Sequence, residues 1–384
     1  MSLAAVPTTT AAPDPAATGA PDLPASAAQE AAGALAERVF EASIGAMELA
    51  TIHVGERLGL YRALAEAGPC TAPVLAAHTA TDTRYVREWL EQQAAAGLLD
   101  CPDPEAAPDE RHFALPPGHE EALLDPESLA GVAGLVRLEM GIMATVPRLL
   151  EAFRTGEGIP YPDFGEDTRE GIAGVNRPLF ANQLAGWIQA LPDVHARLPC
   201  PPAARVADVA CGTGWSTLAL ARAYPFARID GFDVDAGSIA RAREHAAEAG
   251  LEDRVTFHVH DAADASLAGS WDLVTIFEAV HDMAHPVEAL RAARHMLADG
   301  GSVLVGDELT AEAFGAPADP LERFMYGFSV LHCLPVGRED ERSAATGTVF
   351  RPHTLRAYAT EAGYREVAVL PIEHDFWRFY RLDP

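Results

Sequence analysis

Residues 206–217, VADVACGTGWST, set an apolar run before two glycines, Gly212 and Gly214, with a helix-like stretch after them. A strand, a glycine turn and a helix in that order present backbone N–H groups at the C-terminal edge of a sheet, where a ligand can approach the main chain. Three ligands compete for such a loop. A P-loop needs a lysine after its glycines; all 28 positive charges of this chain are arginines, so that ligand is excluded. A dinucleotide loop asks for a third glycine where Thr217 stands. A nucleoside without phosphates needs only close backbone approach, which two glycines provide.

The next chemistry-bearing residues lie at the ends of later apolar runs. RIDGFDVD (228–235) ends in Asp233, nineteen residues past Gly214, where a carboxylate can accept both hydroxyls of a ribose. VTFHVHDAAD (255–264) ends in Asp261 and Ala262, a carboxylate and a backbone N–H able to read an adenine edge. FEAVHDMAHP (277–286) brings Phe277, Glu278, His281 and Asp282 to the same edge. His258 and His260 share a strand face, but a metal site needs a third ligand, so no metal is expected.

The elements that must position these residues follow from pattern. Short apolar runs at 205–210, 228–233, 254–259, 271–277 and 301–306 alternate with helical stretches near 215–224, 237–249, 285–298 and 310–330. That alternation predicts a parallel sheet with helices on both faces. REVAVLPIEHDFWRFYRL (365–382) reads as two strands joined by a turn, an antiparallel hairpin at the sheet's edge. Upstream, residues 1–27 are rich in Ala, Pro and Thr and read as a disordered tail. Residues 28–125 predict three helices, with Asp82 as an N-cap, and a small hairpin of 98–101 with 112–115: a winged helix. Residues 126–200 read as a helical linker or lid, with a loop at GEGIPYPDFGED (156–167), and residues 201–384 as the ligand-binding domain.

Composition sets the outer bounds. Hydrophobic residues make up 49% of the 384, enough for a sizeable core, and no apolar run is long enough to span a bilayer. The net charge of −28 argues against nucleic acid and anionic lipid as partners. Arg84 and Arg87 of the would-be recognition helix are offset by Glu88 and Glu91, so a dimerisation role is expected there. Five scattered cysteines without a CxxC pair, and no charged leader before Arg38, point to a cytoplasmic protein.

Taken together, DVACGTG, GFDVD, HDA and FEAVHD resemble the class I S-adenosylmethionine (SAM) dependent methyltransferases. TRYVREWL, GIPYPDF, AVHDMAHP and MYGFSVLHC resemble a bacterial small-molecule branch with an N-terminal winged-helix dimerisation domain. The resemblance implies an α/β, Rossmann-like sheet of seven strands, parallel except for the C-terminal hairpin. It implies SAM as cofactor, a small organic acceptor and a homodimer. Residue by residue, it implies Asp208 near the methionine end, close backbone approach at Ala210, Gly212 and Gly214, ribose binding by Asp233, and adenine contacts from Val234, Asp261 and Ala262. It also implies Phe277 on the sulfonium side. Ala210 stands where the family often has glycine. O-methylation is favoured, with His281 as general base, since AVHDMAHP is similar to the HDW-type segment of O-methyltransferases. Asp282 is read as a helix cap, Glu278 and Glu308 as groups orienting His281 or the acceptor, and Tyr161, Phe164, Tyr326 and His332 as acceptor-pocket walls. Two rivals remain at this stage: an enzyme of this fold that uses SAM without methyl transfer, and a winged-helix regulator responsive to a ligand.

Overall fold

In the computed structural model, the structure describes residues 25–267 and 270–384. Residues 1–24 of the expected tail lie outside these; a helix begins at Ala25 and runs to Arg57. Among the described residues the chain divides into two compact units, parting between Glu48 and Leu49. In the second, helices Leu60–Ala67, Ala72–Thr79 and Thr83–Ala95 pack around Leu64, Leu75 and Leu90, and the Tyr61 and Trp89 rings meet edge to face at 5.0 Å. The Asp82 carboxylate accepts from the N–H groups of Arg84 and Tyr85, so the helix starts where a cap predicts it. The expected hairpin shrinks to a single bridge, Asp100 with Ala114; Phe113 pairs instead with Cys70. Pro102, Pro104 and Pro108 lack the N–H that a longer ladder needs.

The seven strands are β1 (Arg205–Val209), β2 (Arg228–Asp233), β3 (Val255–Val259), β4 (Trp271–Phe277), β5 (Leu297–Glu308), β6 (Glu366–Val369) and β7 (Trp377–Asp383). Their order is β3-β2-β1-β4-β5-β7-β6, parallel except that β7 runs antiparallel to both neighbours. Side chains alternate between two apolar layers. Val206 and Leu273 enter one with Leu184, Leu218 and Ile239; Ala207, Val209 and Val274 enter the other with Leu290 and Leu355. The sequence direction reverses between β1 and β4, and a crevice opens at their C-terminal ends, the place where open α/β sheets bind ligands.

Two expectations change. β5 starts four residues early, with a register shift against β4 at Trp271/Leu273. The helix expected from 310 begins only at Pro320, because Gly315, Pro317 and Pro320 interrupt the run; it ends in a π-turn, Ser329–Cys333. The stretch 126–200 holds Ala133–Ala144, Val146–Thr155, a 3-10 turn at Tyr161–Phe164 and the long helix Gly165–Gln189. That last helix carries Arg169, Asn176 and Phe180 to the crevice. No helix among the described residues is long and apolar enough to cross a membrane.

Candidate functional site

The glycine loop is fixed from beneath. Asp208 is buried, and its carboxylate accepts from Ser216 and Thr217 hydroxyls at 2.6 Å each and from the Thr275 hydroxyl at 2.7 Å. Burial raises its pKa, and the three hydroxyls oppose the rise. Asp208 therefore ties β1, the following helix and β4 together. It is not among the residues that line the cleft, and both its oxygens are engaged by these three bonds. The turn above it has φ of +57° at Ala210, +52° at Gly212 and +86° at Gly214. Gly214 also stays off the cleft; a Cβ there would meet Phe257 at 2.7 Å, so its lack of side chain serves helix–sheet packing. Ala210 accepts a left-handed conformation that costs an L-residue roughly 1–2 kcal/mol.

Gly212 donates its N–H to Asp233 at 2.8 Å, and Asp235 donates to the other Asp233 oxygen at 2.8 Å. Loop and second strand end are thus one unit. Burial pushes Asp233 up to about 6 against those two bonds. The cleft encloses about 670 Å³, within the range of small-molecule sites. Ala210, Gly212, Asp233, Val234, Asp261, Ala262 and Phe277 line it together. Nothing lies within 4 Å of where a Gly212 Cβ would sit, so the main chain is open to the cleft there.

The other end of the cleft is built at the tips of β4 and β5. Glu278 has φ +50° and donates its N–H to Gly306 at 2.8 Å, so the ladder itself holds the strained residue. Its carboxylate faces the cleft and accepts from the Asn176 amide. Burial pushes Glu278 up to about 7; the Asn176 hydrogen bond and the His281 charge oppose this. Glu308, buried at the end of β5, is held well above the carboxylate range by its burial and the neighbouring Glu278 carboxyl. Asp282 also lines the cleft and is pushed up to about 6 by burial. It caps nothing: the next helix starts at Pro286, with His285 at its N-cap position.

His281 is enclosed. Its ring is 2% exposed, and its Nδ1 lies 2.7 Å from Asp307 Oδ1. Burial disfavours the imidazolium, yet the Asp307 carboxylate outweighs that and raises the pKa well above the usual histidine value. The group that faces the cleft beside it is Glu278, not His281. Of the expected acceptor walls, Tyr161 and Glu278 line the cleft. Phe164 is buried with Leu149 and Ile159, and Tyr326 accepts a 3.3 Å bond from Arg351. His332 is buried against Phe164 at 4.6 Å, its pKa pulled down to about 3 by burial and by the His281 charge. Pattern reasoning missed Arg169, Asn176 and Trp215. The first two sit on a helix far upstream, and only the three-dimensional fold brings them to the sheet edge.

Comparison with known proteins adds to this geometry. Residues 206–301 match the family model described as "Methyltransferase domain", and residues 42–124 match the "Rv2258c-like winged HTH domain". Over 188 residues the chain is 28% identical to the 27-O-demethylrifamycin SV methyltransferase of Amycolatopsis mediterranei (strain S699), covering 46% of this chain and 69% of that protein. The chain spans between 24% and 72% of the lengths of the first curated relatives it matches. Among solved structures, the mitomycin 7-O-methyltransferase MmcR superposes with a TM-score of 0.68 at 23% identity, over 92% of this chain and 99% of that one. Human N-acetylserotonin methyltransferase in complex with SAM gives a TM-score of 0.66 at 17% identity, over 91% and 97%.

Proposed function

We propose, for a chain that is by domain content and fold a class I SAM-dependent methyltransferase with an N-terminal winged-helix domain, that it methylates an oxygen of a small organic acceptor. The observation that carries this reading is a single cleft with a nucleoside-binding set at one end and a proton-accepting carboxyl, Glu278, at the other. The residues present fit SAM: the open main chain at Ala210 and Gly212 for the methionine end, Asp233 for the ribose, Val234, Asp261 and Ala262 for the adenine, and Phe277 beside the sulfonium. When bound, the cofactor supplies an activated methyl group. The protein's own work is to hold the acceptor in line and take its proton.

Glu278 is suited to that second task. It faces the cleft, and its pKa of about 7 matches the working range of a general base. His281, held as an imidazolium on Asp307, acts from behind by limiting how far Glu278 rises. A second reading keeps His281 as the base: an imidazole oriented by a carboxylate at 2.7 Å is the base–orienter arrangement of hydrolytic triads. The variants Glu278→Gln and His281→Ala separate the two.

The test is methyl transfer from methyl-labelled SAM to a panel of phenols and alcohols, with the methylated atom located by mass spectrometry. Label on oxygen supports the proposal. Label only on nitrogen or carbon, or cofactor binding with no transfer to any acceptor, sinks it. We further infer a cytoplasmic homodimer. Leu35, Val39, Phe40, Ile44 and Met47 expose an apolar stripe on the first helix, and Arg84 and Arg87 are occupied by Glu88 and Asp109, which leaves the winged helix no basic face for DNA. A monomeric mass by light scattering would contradict the dimer.

A further inference from the structure

The cleft wall around Glu278 is one-sided in its chemistry. Asn176 is 8% exposed, lines the cleft and gives its amide N–H to Glu278, while its Oδ1 has no partner. Glu278 and Asp282 add carboxyl oxygens on the same wall. Behind them, Asp307 and Glu308 each hold a buried oxygen without a partner. The guanidinium that lines the cleft, Arg169, is bound to Asp235 at 2.9 Å. The wall therefore offers acceptors and calls for a donor-rich ligand.

Charge counting points the same way. Four carboxyl groups (Glu278, Asp282, Asp307 and Glu308) surround one imidazole, His281. Carboxyl groups outnumber the imidazole in this enclosed site, where an unbalanced charge is costly. No group of three or more His, Cys, Asp or Glu among the described residues has the arrangement of a metal site.

We infer that the acceptor is an amino alcohol or an aminoalkyl phenol: it presents its hydroxyl to Glu278 and seats a protonated amine on Asn176 Oδ1 and the Asp282 carboxylate. This rests on the oxygen-methylation reading above. An ammonium has three donors and no acceptor, which matches a wall of acceptor atoms. A carboxylate or phosphate in the same place meets like charge, so the wall also disfavours anionic acceptors.

The test uses three phenols that differ in charge at the far end of one side chain: tyramine, 4-ethylphenol and 4-hydroxyphenylacetate. Each is titrated calorimetrically into the full chain loaded with S-adenosylhomocysteine. The expected order is tyramine tightest, by about tenfold over 4-ethylphenol, with 4-hydroxyphenylacetate weakest. Asp282→Asn is expected to reduce the tyramine preference by about tenfold, with S-adenosylhomocysteine affinity within twofold of the parent. Equal affinities, a preference for the acid or the neutral phenol, or no tyramine binding at millimolar concentration overturns the inference. If the variant fails to fold, the order of the three ligands on the parent protein decides alone. The two claims fail separately. Tyramine preference with no oxygen methylation removes the reaction and keeps the cationic seat. Efficient methylation of neutral and acidic phenols does the reverse.

Discussion

The two ends of the cleft are built on opposite principles. At the β1–β2 end the buried carboxylates are tied down: Asp208 to three hydroxyls and Asp233 to two backbone N–H groups, one of them from Gly212. At the β4–β5 end the chain carries a strained Glu278, carboxyls pushed toward neutrality, and buried oxygens on Asn176, Asp307 and Glu308 that have no partner. The first end is a socket whose carboxylates are fixed from within the fold. The second stores unfavourable electrostatics that a particular ligand relieves. Perturbed carboxyls and local strain concentrate where chemistry is done.

The largest expected effect falls on the chemical end alone. Glu278→Gln should lower kcat by about 10²–10⁴ while S-adenosylhomocysteine affinity, measured by calorimetry, stays within about twofold. A comparable loss of cofactor affinity would erase the distinction between the ends. The reciprocal change is Asp208→Ala, which leaves three buried hydroxyls without their acceptor. It should destabilise the fold by roughly 3 kcal/mol or more, read as a lower melting temperature, because hydrogen bonds to a charged group are worth about 1.5–3 kcal/mol each. Asp233→Ala should weaken S-adenosylhomocysteine binding by about tenfold to a hundredfold in the same titration and leave the pH dependence of the chemical step in place.

The pH dependence of stability sharpens the comparison further. Glu278, Asp282 and Asp233 have folded pKa values of about 7, 6 and 6, above the ordinary carboxylate range. The folded chain thus binds more protons than the unfolded chain between about pH 4 and 7, and ligand-free stability should fall as pH rises through that window. Glu278→Gln should flatten the fall in a melting-temperature series. The smallest effect expected is Ala210→Gly, which removes a left-handed alanine. It should leave stability unchanged or raise it by up to about 1 kcal/mol in a thermal melt.

Legibility in the sequence divides along the same line. The β1–β2 end is written within thirty residues: the glycines, Asp233 and their spacing follow from one strand–turn–helix and the next strand. Even there, pattern did not tell Asp208 and Gly214, which hold the turn and its packing, from Gly212 and Asp233, which meet the cleft. The β4–β5 end draws on Asn176, Glu278, Asp307 and Glu308, separated by up to 132 residues and joined only by helix–sheet packing. A histidine beside a strand end looks like a base in sequence. That its ring turns away onto Asp307, while its neighbour three positions earlier faces the cleft, depends on the left-handed φ of Glu278. The helix expected at 310–330 failed for a local reason, the Gly315, Pro317 and Pro320 breaks.

The most direct measurement is the rate of methyl transfer against pH, from 5 to 9, for the parent chain, Glu278→Gln and His281→Ala, each saturated with SAM and one accepted phenol. The parent rate is expected to rise through about pH 7, the rise to vanish in Glu278→Gln, and the rise to persist with a shifted midpoint in His281→Ala. A rise that survives in Glu278→Gln and vanishes in His281→Ala would contradict that expectation and return the proton to the histidine.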